Sequence, residues 1–194
     1  MAKVKKKVTK KTKKVTKKMA QPTKKKVSKK VRKVMTRAPG LSIGATVPTF
    51  ALPATGQKTI SLDQFKGKNI VLYFYPKDCT PGCTIEGHDF TKLHKQFQDA
   101  NTEVFGISRD DMKLHEKFKT KENYSFDLIS DTEEELCDIF SVIKMKNMYG
   151  KQVRGIERST FVIDKNGKLV KEWRGVKVDG HAAEVLEAIK SLNS

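Results

Sequence analysis

The chain has 194 residues, three cysteines and a formal charge of +18, from 40 Lys and Arg against 22 Asp and Glu. That length supports one domain with a real core plus some extra. The low, odd cysteine count without a secretory apolar segment argues against a disulfide-stapled secreted fold, and no apolar run approaches the roughly 18–20 residues needed to span a bilayer.

In chain order, residues 1–39 come first, and they hold the entire charge excess. Residues 1–38 contain 18 Lys and Arg and no acid, so the 22 remaining basic residues balance all 22 acidic ones. Lysine pairs alternate with Val, Thr and Ser, as in Lys10-Lys11-Thr12-Lys13-Lys14-Val15. Without aromatics, and repelling itself, such a segment cannot offset its ordering entropy; it is expected to be disordered. Residues 3–37 read as a nonspecific nucleic-acid arm acting by counterion release, as an address such as a nuclear signal, or as a solvated appendage. Dense lysine disfavours a transit peptide, which prefers Arg and Ser. A folded domain is expected over residues 40–194, entered through Pro39, Gly40 and Gly44.

A short hairpin is predicted at Phe50–Leu52 and Lys58–Ile60, turning at Gly56. The apolar run Ile70-Val71-Leu72-Tyr73-Phe74 reads as a buried strand over Asn69–Tyr75. A helix follows from about Pro81 to Ala100; proline is tolerated in a first turn, where N–H groups are orphaned anyway. A strand at Thr102–Ser108 and a helix at Asp110–Glu122 come next, with Asp110 or its neighbour as N-cap. Asp127–Ser130 reads as a short strand, and Thr132 as the cap of a helix over Glu133–Phe140. Ser159–Ile163 and Lys168–Trp173 flank Asp164-Lys165-Asn166-Gly167, a strong hairpin signal. The last helix is expected from about Gly180 to Leu192, with Trp173 packed beside it. This order predicts an α/β fold: a thioredoxin-like mixed sheet with helices on both faces, parallel crossovers and the strand before Pro76 near the centre.

The chemistry concentrates where that strand hands over to a helix, the carboxyl end at which an open α/β sheet places its site. Cys83 falls in the first helical turn, near unsatisfied N–H groups and the positive end of the macrodipole, a setting that favours a thiolate. Thr80 can offer a hydroxyl to an oxygen bound against the sulfur. Pro76 and Pro81 stiffen the loop. Blander readings stand beside these. A lone buried cysteine is usually packing, and Cys137 has core helical spacing. Arg158 could be an ordinary ion-pair partner of Glu157 or Glu172, and His88 and His94 read as exposed helix residues. A zinc site of Cys79, Cys83, His88 and His94 fits no usual ligand spacing.

Pro76-x-x-x-Thr80-x-x-Cys83 resembles the active-site motif of the peroxiredoxins. The fuller string Phe74-Tyr75-Pro76-Lys77-Asp78…Thr80-Pro81-Gly82-Cys83-Thr84-x-Glu86 is similar to the branch called bacterioferritin comigratory protein, or peroxiredoxin Q. So are Arg158-Ser159-Thr160-Phe161-Val162-Ile163-Asp164 and Trp173-Arg174-x-Val176-Lys177-Val178-x-Gly180-His181. The resemblance covers about residues 41–192. It implies a thioredoxin-like thiol peroxidase that reduces hydrogen peroxide and organic hydroperoxides without metal, haem or flavin. By that resemblance Cys83 is the peroxidatic cysteine, Thr80 orients the peroxide and Pro76 shields the sulfenate. Arg158 stabilises the thiolate and the peroxide oxygens, and Glu86 holds a supporting acidic position.

The chain departs from many members at His88, where they carry a resolving cysteine five residues after the peroxidatic one. Two cycles remain open: a one-cysteine enzyme reduced by an external thiol, or Cys79 acting as the resolver. Thioredoxin, glutaredoxin or a small thiol is the implied reductant, and a cytoplasmic monomer or weak dimer is expected, with nucleoid or nuclear association through the tail. The rivals are a thioredoxin-type disulfide oxidoreductase, which wants Cys-x-x-Cys, and a basic nucleic-acid-binding protein that uses the folded domain as a carrier.

Overall fold

The sequence alternation is realised in a computed structural model that describes residues 40–148 and 150–193; the basic segment 1–39, with its expected disorder, lies outside the described residues. The elements are β1 (Ala51–Ala54), β2 (Lys58–Ser61), a 3-10 turn (Leu62–Phe65), β3 (Asn69–Phe74), α1 (Pro81–Asp99), β4 (Thr102–Ser108), α2 (Met112–Glu122) and β5 (Asp127–Ser130). They continue with α3 (Glu135–Ile139), β6 (Ile143–Met148), β7 (Lys151–Ile156), β8 (Ser159–Ile163), β9 (Leu169–Arg174) and α4 (His181–Asn193). One mixed sheet runs in the order β2-β1-β5-β4-β3-β8-β9, and β6 and β7 form a separate pair. The β3–β4 and β4–β5 pairings are parallel, and β8 closes on β3 antiparallel.

β3 is buried along its whole length, and its period of two divides the core. Ile70, Leu72 and Phe74 enter one cluster with Phe105, Phe140, Phe161 and Leu136 of α3. Val71, Tyr73 and Tyr75 enter the other, with Phe90 and Phe97 of α1, Phe118 of α2 and Val185 and Ile189 of α4. Each such side chain contributes about 1.5–3 kcal/mol on burial, and a one-residue slip would exchange the two faces, so the register is firmly set. The end of β3, and the loop to α1, is thereby held between two packed layers. Gly87 lets α1 approach its neighbour closely: an added Cβ would stand 2.4 Å from the Tyr124 ring.

Several expectations are corrected. α2 starts at Met112 rather than Asp110, and of the two expected N-cap candidates it is the neighbour, Asp111, that caps it, its Oδ1 accepting from the Leu114 N–H at 2.9 Å; Asp110 has other partners. α3 is shorter than expected, and Thr132 does not cap it. The buried Asp131 carboxylate does, accepting from the N–H groups of Glu135 at 2.7 Å and Cys137 at 2.8 Å. The β6–β7 hairpin was not predicted: only Ile143 and Ile156 are buried among its described side chains, so it shows no clean alternation. His94 is buried rather than exposed, edge-on to Phe126. Trp173 does lie beside the last helix, its Nε1 donating to Glu184 at 2.7 Å.

Candidate functional site

The loop between β3 and α1 reverses at Cys79, which adopts φ 57°, and delivers Thr80 as the extended N-cap of α1. Pro81 and Gly82 then occupy the first two helical positions and Cys83 the third. Thr80 makes no side-chain cap; its hydroxyl donates to the Lys77 carbonyl at 3.0 Å. The Thr80 side chain therefore leaves the first N–H groups of α1 uncapped at the end where the helix dipole is positive. The Cys83 side chain lies in that turn and is buried, only 2% exposed.

Arg158 comes to this sulfur from the junction of β7 and β8, 75 residues away in the chain. Its Nη2 donates to Cys83 Sγ at 3.2 Å, and its Nη1 donates to Glu86 Oε2 in a short ion pair. The Arg158 carbonyl accepts from the Val176 N–H at 3.0 Å, which ties its backbone to the segment after β9. Neither Glu157 nor Glu172 is its partner; Glu172 pairs with Arg174. Glu86 is 1% exposed, and burial pushes its carboxyl up to about 7 despite the pull of Arg158. Burial lowers the Arg158 pKa, but the charges of Glu86 and Cys83 together raise it above the ordinary value. The arrangement is one guanidinium shared between the Cys83 sulfur and the Glu86 carboxyl in a poorly solvated setting, where charge interactions are strong.

Pro76 is half-buried beside the same loop and lines a surface cleft with Lys77, Arg109, Asp110, Thr132 and Glu134. The structure thus gathers Cys83, Arg158 and Glu86 into direct contact and places Thr80 and Pro76 on the flanking loop. Cys79 is exposed, whereas Cys137 is fully buried in the core cluster on the opposite face from Cys83, with its thiol pKa pushed up by burial. His88 meets Glu122 at 3.0 Å. Among the described residues no group of three or more His, Cys, Asp or Glu side chains could hold a metal ion, and no helix is long and apolar enough to cross a membrane.

Sequence reasoning assigned no task to Asp78 and Asp131, both buried; a lone aspartate in a loop carries no signal of burial.

Residues 43–172 match the AhpC/TSA family. The peroxiredoxin Bcp of Bacillus subtilis is 47% identical over 153 residues, covering 79% of this chain and 98% of that protein. The peroxiredoxin Bcp of Xanthomonas campestris is 51% identical over 145 residues, covering 74% of this chain and 91% of that protein. A solved structure of the Xanthomonas campestris bacterioferritin comigratory protein, studied for its alkyl peroxide reduction activity, superposes with a TM-score of 0.74 at 47% identity, covering 79% of this chain and 98% of that one. The PrxQ structure from Xylella fastidiosa gives a TM-score of 0.77 at 42% identity over 81% of this chain and all of its own. The thioredoxin-like fold, the thiol held by an arginine at a helix N-terminus and these likenesses lead to one conclusion: the chain belongs to the AhpC/TSA family, as a thiol peroxidase of the peroxiredoxin Bcp/PrxQ group.

Proposed function

We propose that Cys83 is the nucleophile with which this chain reduces hydrogen peroxide and alkyl hydroperoxides. The observation that carries the reading is the 3.2 Å contact between Arg158 and the Cys83 sulfur at the start of α1. The thiolate attacks one peroxide oxygen, the O–O bond breaks, and the sulfur becomes a sulfenic acid as water or an alcohol leaves after taking a proton. Arg158 stabilises the thiolate before attack and the departing oxygen during it. Thr80, with its own proton on the Lys77 carbonyl, keeps lone pairs to accept from the peroxide O–H. Pro76 limits water access to the sulfenate.

For recycling we favour the one-cysteine cycle. An external thiol displaces water from the sulfenic acid to give a mixed disulfide, and a second thiol releases Cys83. Three features support it: position 88 is histidine, Cys137 lies in the other core layer, and Cys79 is exposed while Cys83 is buried. Thioredoxin, glutaredoxin or a small thiol is the reductant class, in a reducing, cytoplasmic setting. Mass spectrometry after one equivalent of peroxide tests this. A sulfenic acid on Cys83 without an internal bond is expected; peroxide consumption by Cys83→Ser at the unaltered rate would refute the nucleophile.

A second reading concerns residues 3–37, because a neutral domain carries all of its excess charge there. We infer nonspecific nucleic-acid contact through these lysines. It predicts salt-sensitive DNA binding that disappears when the segment is deleted; undiminished binding after the deletion would remove it.

A further inference from the structure

One buried carboxylate within the loop between β3 and α1 has no place in the peroxide chemistry. Asp78 is 2% exposed and stands five residues before Cys83. Its carboxylate accepts from the Tyr75 hydroxyl at 2.8 Å and from Nδ1 of His115 at 2.8 Å. Its backbone N–H donates to Asp110 Oδ2 at 2.8 Å. Asp110 is itself held: Ser108 Oγ donates to that same oxygen at 2.7 Å, and Ser130 Oγ donates to its carbonyl at 2.6 Å. Three parts of the fold therefore converge on one loop residue: the end of β3 through Tyr75, the β4–α2 junction through Asp110, and α2 through His115.

Such a network is a poor way to gain stability. Apolar residues of the same shape fill a buried site as well or better, because ionic groups must be stripped of water. What hydrogen bonds add is direction. His115 is fully buried, and its Nε2 has no partner among the described residues, so Asp78 alone orients the ring by hydrogen bonding. Directly after Asp78 the chain enters the left-handed conformation at Cys79, φ 57°, which non-glycine residues disfavour. That turn sets Thr80 as the N-cap and Cys83 as the third residue of α1.

We propose that Asp78, clamped by His115 and Tyr75, is a positioning residue for the peroxidase reaction: it holds the turn at Cys79 and thereby sets the Cys83 sulfur against the Arg158 guanidinium. The role rests on the reading of Cys83 as nucleophile. Displacement of a reacting atom by about 1 Å costs on the order of a hundredfold in rate, so loosening this clamp lowers turnover without removing any group that touches peroxide.

The test combines Asp78→Ala, Asp78→Asn and His115→Phe with two rates: kcat/KM for hydrogen peroxide and the alkylation of Cys83 by iodoacetamide at neutral pH. Urea unfolding and near-ultraviolet circular dichroism report whether each variant folds. Asp78→Ala and His115→Phe are expected to lower both rates by roughly tenfold or more while unfolding cooperatively. Asp78→Asn keeps one acceptor oxygen for one of the two partners and turns an N–H2 toward the other, so it recovers part of the loss. Unaltered rates in a folded Asp78→Ala overturn the proposal, as does a lower peroxidase rate with unchanged alkylation. Should Asp78→Ala not fold, Tyr75→Phe joins His115→Phe as the deciding pair, and unaltered rates in both overturn it. Failure of the nucleophile reading shows separately, as peroxide consumption that survives Cys83→Ser.

Discussion

Arg158 divides its guanidinium between Cys83, whose sulfur it meets at 3.2 Å, and the buried carboxylate of Glu86. Both partners lie one helical turn apart on α1, while the guanidinium arrives from the start of β8, the strand paired directly with β3. The planar fork with several donors suits this double contact; a lysine ammonium offers a point charge instead. Consequences for charge, activity and stability follow from that geometry.

Replacing Arg158 should weaken the chemical step rather than the fold. Arg158→Gln is expected to lower kcat/KM for peroxide by about 10²–10³, the usual scale for losing one preorganised electrostatic donor. Arg158→Lys should recover part of the activity, since it restores charge without the fork. Stopped-flow peroxide reduction measures both, and equal rates in the three proteins would dismiss the role.

Glu86 makes stability depend on pH in a definite direction. Burial raises its pKa from an ordinary 4.5 to about 7 in the folded protein. Between those values the folded state holds a proton that the unfolded state has released. The contribution is therefore fully present below about 4.5 and lost as pH rises through about 7, on the order of 3 kcal/mol. Glu86→Gln should flatten this part of the stability–pH curve in urea unfolding at stepped pH. A curve as steep as the parent's would place the ionisation elsewhere.

Cys79→Ser separates the two recycling routes. With a small-thiol reductant it should turn over at the parent rate, and the oxidised parent should show no Cys79–Cys83 bond in a non-reducing peptide map. Loss of turnover with retained first-equivalent peroxide reduction would assign Cys79 as the resolver.

Gly87→Ala sets two effects against each other. Alanine is favoured over glycine inside a helix by about 1 kcal/mol. The added Cβ, however, would stand 2.4 Å from the Tyr124 ring, itself packed against Phe118 and Phe126. Overpacking of this kind costs typically about 1–3 kcal/mol. Net destabilisation is expected, read as a lower urea midpoint; a stabilised variant would mean that the ring moves aside freely.

The site was legible to the extent that it is local. Pro76, Thr80 and Cys83 lie within eight consecutive positions, and an apolar run before them with helical spacing after them locates the strand–helix junction. The hairpin at Asp164–Gly167 was legible for the same reason, since turn chemistry depends on a few neighbouring residues. The β6–β7 hairpin was not, because its mostly exposed strands carry little hydrophobic pattern. Nor was the cap of α3: Thr132 is an accepted N-cap type just before the expected helix, but α3 starts later and the carboxylate of Asp131 reaches its two N–H groups.

The amino-acid order by itself determined the place of Cys83 at a strand–helix junction, the strand that leads to it, the alternation of the sheet and the confinement of the excess positive charge to residues 1–38. These follow from periodicity, turn residues and charge, which neighbours along the chain express. Only the tertiary structure decided that Arg158 grips Glu86 rather than Glu157 or Glu172, that His94 is buried, and that His115 and Tyr75 meet Asp78 within the β3–α1 loop. Those pairings depend on how the strands are ordered and which face of the sheet each helix covers, and desolvation then gives the paired charges their strength.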